Sequence, residues 1–284
     1  MPVQKTAYIT GGASGIGLAL ARTLAHRGIR LAIADLNIST ANSVASDLCA
    51  EQNAPDLVTA FELNAADWDS QLSVFQKVVE HFEGRVDYVY PIAGIGEKVS
   101  IPNDGGKGKG FVKPNLSVLD VDLYGVLFTV SLAVQQMRRQ ERDESGFRGK
   151  IATVASVCGF YCVPTLPIYT AAKHGVIGFI RSFGKYLPEE HITLNAVCPN
   201  VVRTGISTSA FYDKLESQGL LTPMKPVIDA FEKFLDSDIS GECWEAGPKG
   251  DLVKREAAEY LDRESGLLMD MLYERGHGLH QPQS

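Results

Sequence analysis

Tyr169 stands four residues before Lys173 in "PIYTAAKHG", with only small residues between them. On a helix, residues four apart lie one turn apart on the same face, so a phenol and an ammonium would share one space. A free phenol titrates near pKa ~10 and is a poor acid or base at neutral pH, whereas a neighbouring cation favours phenolate. The pair could therefore move a proton. The same spacing also occurs on solvated helix faces, where the ring packs and the amine reaches water.

A second stretch points to a ligand. "TGGASGIG", residues 10–17, separates a β-rich run from a helical one, so that backbone N–H groups and the helix dipole would meet a pyrophosphate. Glycine there allows a tight turn and close ligand approach. The next strand-like run ends at Asp35, whose carboxylate can accept hydrogen bonds from ribose hydroxyls and would repel a 2′-phosphate by several kcal/mol. Neither Ser14 nor Leu36 supplies a compensating cation, so NAD(H) is expected over NADP(H).

The elements that must hold these residues alternate. "KTAYIT", "IRLAIAD", "DLVTAFEL", "RVDYVYPIAG", "GKIATVAS" and "ITLNAVCP" read as strands, with helical patterns between them, including one from about Ser117 to about Arg139 and one holding Tyr169 and Lys173. "SVLD" has the form of a capping box at Ser117. Buried strands alternating with helices predict an α/β fold, a single Rossmann-type, doubly wound parallel sheet. Residues 97–115, rich in Gly, Lys and Pro, lack the P-loop order and read as a surface loop. Residues of about 203–236 carry Ile206, Phe211, Tyr212, Leu215, Leu220, Leu221 and Met224, which suit either core packing or an apolar substrate lid.

With 45% hydrophobic residues, the 284-residue chain can build a sizeable core. Its formal charge of −7, without a dense basic run, argues against a nucleic-acid partner. The opening "MPVQKTAYIT" contains no apolar signal segment, and no stretch reads as a membrane span of ~18 apolar residues. A cytoplasmic location is the expectation. Cys49, Cys158, Cys162, Cys198 and Cys243 suit reduced, mostly buried thiols, and no Cys/His set has zinc-ligand spacing, so no metal is expected.

Together, "TGGASGIG", Asp35, "IAG" at 92–94, Ser156, "YTAAK" and "NAVCPNVVRT" at 195–204 resemble the short-chain dehydrogenase/reductase family over nearly the whole chain, to about Gly247. The resemblance implies that Tyr169 is the general acid/base, that Lys173 lowers its pKa and holds the nicotinamide ribose, and that Ser156, 13 residues before Tyr169, binds the substrate oxygen. It implies cofactor contacts at Gly11, Ser14, Gly15, Ile16, Gly17, Asp35, Leu36, Asn64, Ala65, Ala93, Gly94, Tyr169, Lys173, Pro199, Val202 and Thr204. The family's "NNAG" is "PIAG" here, Asn64 replaces an Asp, and Asn200 stands where "PG" is usual. Asp122 replaces an Asn that helps hold a water on the proton relay to the lysine; a carboxylate accepts but does not donate unless protonated.

Within the family the chain is most similar to the 15-hydroxyprostaglandin dehydrogenase type and to secondary-alcohol dehydrogenases of fungal polyketide pathways. The implied function is NAD-dependent interconversion of a secondary alcohol and a ketone. Cys158, Phe160, Tyr161, Leu166 and the lid imply an apolar, medium-sized substrate contacted also by Ser156 and Tyr169. The alternative keeps the fold and the nucleotide without net redox chemistry: an isomerase, dehydratase or cyclase that uses Tyr169 as acid/base. A homodimer or homotetramer is expected. A catalytic domain is placed at 1–250 and a helical extension at 251–284, the latter covering the active-site mouth or a subunit interface.

Overall fold

In the computed structural model, which describes residues 4–103, 105, 107–108 and 110–281, short runs of β-branched and small apolar residues form the strands. They are β1 (Thr6–Thr10), β2 (Arg30–Asp35), β3 (Val58–Glu62), β4 (Tyr88–Pro91), β5 (Gly149–Val154), β6 (Ile192–Pro199), β7 (Cys243–Ala246) and β8 (Leu252–Lys254). They make one sheet in the order β3-β2-β1-β4-β5-β6-β7-β8, parallel throughout except for the antiparallel β7–β8 pair. Strand order reverses between β1 and β4, so a crevice opens at their carboxyl ends, where open α/β sheets bind ligands.

The helices are α1 (Gly15–His26), α2 (Ile38–Glu51), α3 (Trp68–His81), α4 (Ser117–Leu119), α5 (Gly125–Met137), α6 (Pro167–Tyr186), α7 (Ser209–Ser217), α8 (Met224–Leu235) and α9 (Arg263–His277), of which α1, α2 and α8 cover one face of the sheet and α3, α5 and α6 the other. Alternation along β1 divides the core in two. Ala7 and Ile9 join Leu20, Leu24, Phe231 and Phe234, whereas Tyr8 joins Val78, Val130 and Ile180. Each such leucine or phenylalanine contributes ~1.5–3 kcal/mol on burial.

Four expectations change. The helix from Ser117 starts without the expected capping box: Leu116 is its N-cap, and Asn115 Oδ1 accepts from Ser117 N at 3.0 Å instead. The span Ser117–Met137 is long and apolar enough to cross a membrane, contrary to expectation, yet Val126, Val130, Ala133 and Met137 are buried in the core. The expected lid divides: α7 lies over the ligand side, but α8 is a core helix packed on α1 and the sheet through Val227, Phe231 and Phe234. The tail does not begin as a helix, because β8 completes a hairpin with β7 across residue 250 and α9 starts only at Arg263.

Candidate active site

The first helix begins with an unfilled end. Ser14 is its N-cap but makes no side-chain cap, leaving first-turn N–H groups open beside a cavity of about 410 Å³. Two glycines set the turn. Gly11 has φ +71°, and a Cβ there would lie 2.7 Å from Ala93 Cα; a Cβ on Gly17 would lie 2.1 Å from Gly11 O. Thr10 Oγ1 accepts from Ile92 N at 3.1 Å and Ala93 N at 3.3 Å, which pins the "PIAG" corner to β1. Asp35 closes the far end: Oδ2 accepts from Ala13 N and Oδ1 from Asn37 N, each at 3.1 Å.

Gly11, Ser14, Gly15, Ile16, Gly17, Asp35, Leu36, Asn64, Ala65, Ala93, Gly94, Tyr169, Lys173 and Thr204 all line this cavity. Pro199 and Val202 line an adjoining one of about 570 Å³ instead. Tyr169, Ile16 and Thr204 face both, so the phenol stands where the two spaces meet. Gln71 ties the Asn64–Ala65 corner to the helix behind it, donating to Ala65 O at 2.7 Å and to Gly125 O at 2.9 Å.

α6 carries Tyr169 and Lys173, with Lys173 Nζ 5.4 Å from the Tyr169 ring centroid. Lys173 is 4% exposed and Asp122 is fully buried. Their Nζ and Oδ2 lie 3.1 Å apart as an ion pair off the hydrogen-bond axis, while Nζ also reaches Val154 O at 3.4 Å. Asp122 sits in a π-helical turn (Asp120–Tyr124) between α4 and α5, and its Oδ1 accepts from Ile95 N at 2.8 Å. Such π turns interrupt α-helices mostly at functional sites. Ser156 caps the 3₁₀ turn Val157–Gly159 by accepting from Cys158 N at 3.1 Å.

Lys173 does lower the Tyr169 pKa, as expected, but it does not decide the net direction. Burial raises that pKa and outweighs the lowering by Lys173; Asp122 pushes in the same direction as burial, and the phenol ends above its ordinary value. For Lys173, burial disfavours the charge, but Asp122 and Tyr169 outweigh it and the ammonium ends above the ordinary lysine value. The buried carboxylate keeps Lys173 charged and at the same time opposes that charge's effect on the phenol.

Ser156, Cys158, Leu166 and Tyr169 line the larger cavity, together with Val163, Ile206, Phe211 and Tyr212. Phe160 and Tyr161 do not. Phe160 lies between the guanidinium groups of Arg181 and Arg255, each 5.4 Å from its ring centroid. The Tyr161 hydroxyl accepts from Arg255 Nη1 at 3.0 Å and donates to Glu245 Oε2 at 3.1 Å at the surface, while the Phe160 ring packs against the core below. Aromatic rings attract guanidinium faces, and sequence alone could not reveal that Arg181 and Arg255 converge there. The sequence reading missed Glu97, within the segment read as a surface loop: it accepts from Tyr169 N at 2.6 Å and from Ile168 N at 3.4 Å.

The family model described as short chain dehydrogenase matches residues 5–214. The chain belongs to the short-chain dehydrogenase/reductase family. Rat 15-hydroxyprostaglandin dehydrogenase, whose name specifies NAD(+), is 31% identical over 232 residues, 81% of this chain and 79% of that protein. The short-chain dehydrogenase/reductase ascJ of Acremonium egyptiacum is 32% identical over 205 residues, 71% of this chain and 64% of that one. Among solved structures, levodione reductase superposes with a TM-score of 0.73 at 22% identity, covering 87% of this chain and 98% of that one. The structure named gox2181 gives 0.70 at 27% identity over 86% and 94%. The family and the two adjoining cavities make this chain an oxidoreductase with a small-molecule substrate.

Proposed function

We propose that the chain interconverts a secondary alcohol and a ketone with NAD(H) as hydride partner, Tyr169 moving the proton. The observation that carries this reading is Tyr169 at the junction of the two cavities, one helical turn from a lysine held by a buried carboxylate. The smaller cavity suits a dinucleotide: the uncapped N-terminus of α1 offers N–H groups to phosphates, and Asp35 offers a carboxylate to ribose hydroxyls. Lys98 and Lys173 are the only cations among its described lining residues, and Lys173 is committed to Asp122. That supports NAD over NADP.

The bound nicotinamide would supply or accept the hydride. The chain's part is positioning and proton transfer. Ser156 orients the substrate oxygen, and Tyr169 gives that oxygen a proton during reduction or takes it during oxidation. Lys173 holds the ribose side and steadies the phenol. A second reading, non-redox acid/base chemistry by Tyr169, is motivated by Asp122 standing where the family has Asn. Absorbance of the reduced nicotinamide, followed with NAD or NADP and apolar secondary alcohols, separates the two. NAD reduction abolished by Tyr169→Phe is expected; substrate conversion without nicotinamide reduction would overturn the redox reading.

A further inference from the structure

Glu97 opens the segment that leaves the sheet after β4, and its carboxylate is fastened to the N-terminus of the 20-residue catalytic helix by Tyr169 N and Ile168 N. Two N–H groups and the positive end of the helix dipole hold an ionised carboxylate there and keep it from turning into solvent. Glu97 also lines the larger cavity, and among the described lining residues it is the sole charged side chain. The rest of that wall is mainly apolar, with Val157, Val163, Leu166, Ile206 and Phe211 prominent.

Lys98, next in the chain, lines the smaller cavity and not this one, and three other cations nearby are paired. Lys173 pairs with buried Asp122, Arg203 with Asp213 and Glu216, and Arg255 with Glu245. The Asn200 amide, which reaches the cavity wall, donates to Glu245 Oε1 and Ala246 O. A substrate carboxylate would leave water, find no cation in the described wall, and share the space with a fixed negative charge.

We propose that Glu97 is a specificity-determining residue that reserves this cavity for uncharged secondary alcohols and ketones and rejects those bearing a carboxylate. The proposal rests on the alcohol–ketone reading and narrows its substrate class. Its test uses a matched pair of ketones, 4-acetylbenzoate and its methyl ester. Binding of each is measured by titration calorimetry, with and without NADH, and NADH oxidation is followed separately.

The ester is expected to bind roughly tenfold or more tightly than the acid. Glu97→Gln, which keeps an acceptor for Tyr169 N but loses the charge, is expected to narrow that gap by improving the acid. Equal or tighter binding of the acid, binding of neither ketone, or an unchanged gap in a variant folded by circular dichroism would each overturn the proposal. Should Glu97→Gln fail to fold, the wild-type chain decides with 4-acetylbenzamide. This neutral amide groups with the ester if charge governs, and with the acid if polarity alone governs. Preferential ester binding without NADH oxidation by either ketone would sink the redox reading while leaving charge selection intact.

Discussion

The two cavities that meet at Tyr169 are built by opposite means. The smaller is shaped by backbone: strand ends, the opening turn of α1 and positions where a single added carbon collides with main chain. The larger is shaped mostly by side chains on connecting segments, those around Glu97, Val157–Leu166 and Val201–Phe211. Main chain locked into a sheet cannot shift to accept a substitution, whereas a loop side chain can be exchanged without moving the frame. One fold can thus keep a common nucleotide half and vary its substrate half.

The most damaging change should fall at the junction. Tyr169→Phe removes the proton-transferring hydroxyl at the junction of the two cavities, and turnover measured by nicotinamide absorbance is expected to fall on the order of 10²–10⁴-fold with the fold intact by circular dichroism. Asp122→Ala strands the Lys173 ammonium in the interior and should lower unfolding free energy by about 3–5 kcal/mol in denaturant titration. The gentler Asp122→Asn bears on the chemistry. Asp122 holds the phenol's pKa up, so removing its charge favours phenolate and moves the low-pH limb of alcohol oxidation, where the phenol must lose its proton to act as base, to lower pH. A limb that stays put or moves upward would count against this coupling.

Within the cofactor half, Gly17→Ala puts a carbon against Gly11 O and is expected to cost about 1–3 kcal/mol, read as a lower Tm, together with weaker NAD binding by calorimetry. The substrate half should be more forgiving. Phe211→Ala, on an exposed helix over the larger cavity, should raise KM several-fold by losing apolar contact and leave kcat and Tm nearly unchanged. If Phe211→Ala proved as destabilising as Gly17→Ala, the contrast between a frame and an exchangeable wall would fail.

Strand and helix order was legible because hydrophobic periodicity is local, and the glycine turn, Asp35, Ser156, Tyr169 and Lys173 were legible because each lies at an element's end or on one helix face. The sequence also disclosed an aspartate at position 122, but its partner lies 51 residues away and only the folded helices bring the charges to 3.1 Å. The sign of the Tyr169 shift followed from that contact and from burial, neither of which is local. Phe160 and Tyr161 read as pocket residues by proximity to Ser156, yet Phe160 packs against the core beneath arginines from α6 and the segment after β8, and Tyr161 bonds Arg255 at the surface. Glu97 was hidden for the same reason: a loop carboxylate gains meaning only when a distant helix presents its open N–H groups to it. By itself the sequence determined the order of elements and the residue types at their ends, which short-range backbone and side-chain preferences dictate. Which charges are buried together, and which side chains face the substrate, was decided only by packing between segments far apart in the chain.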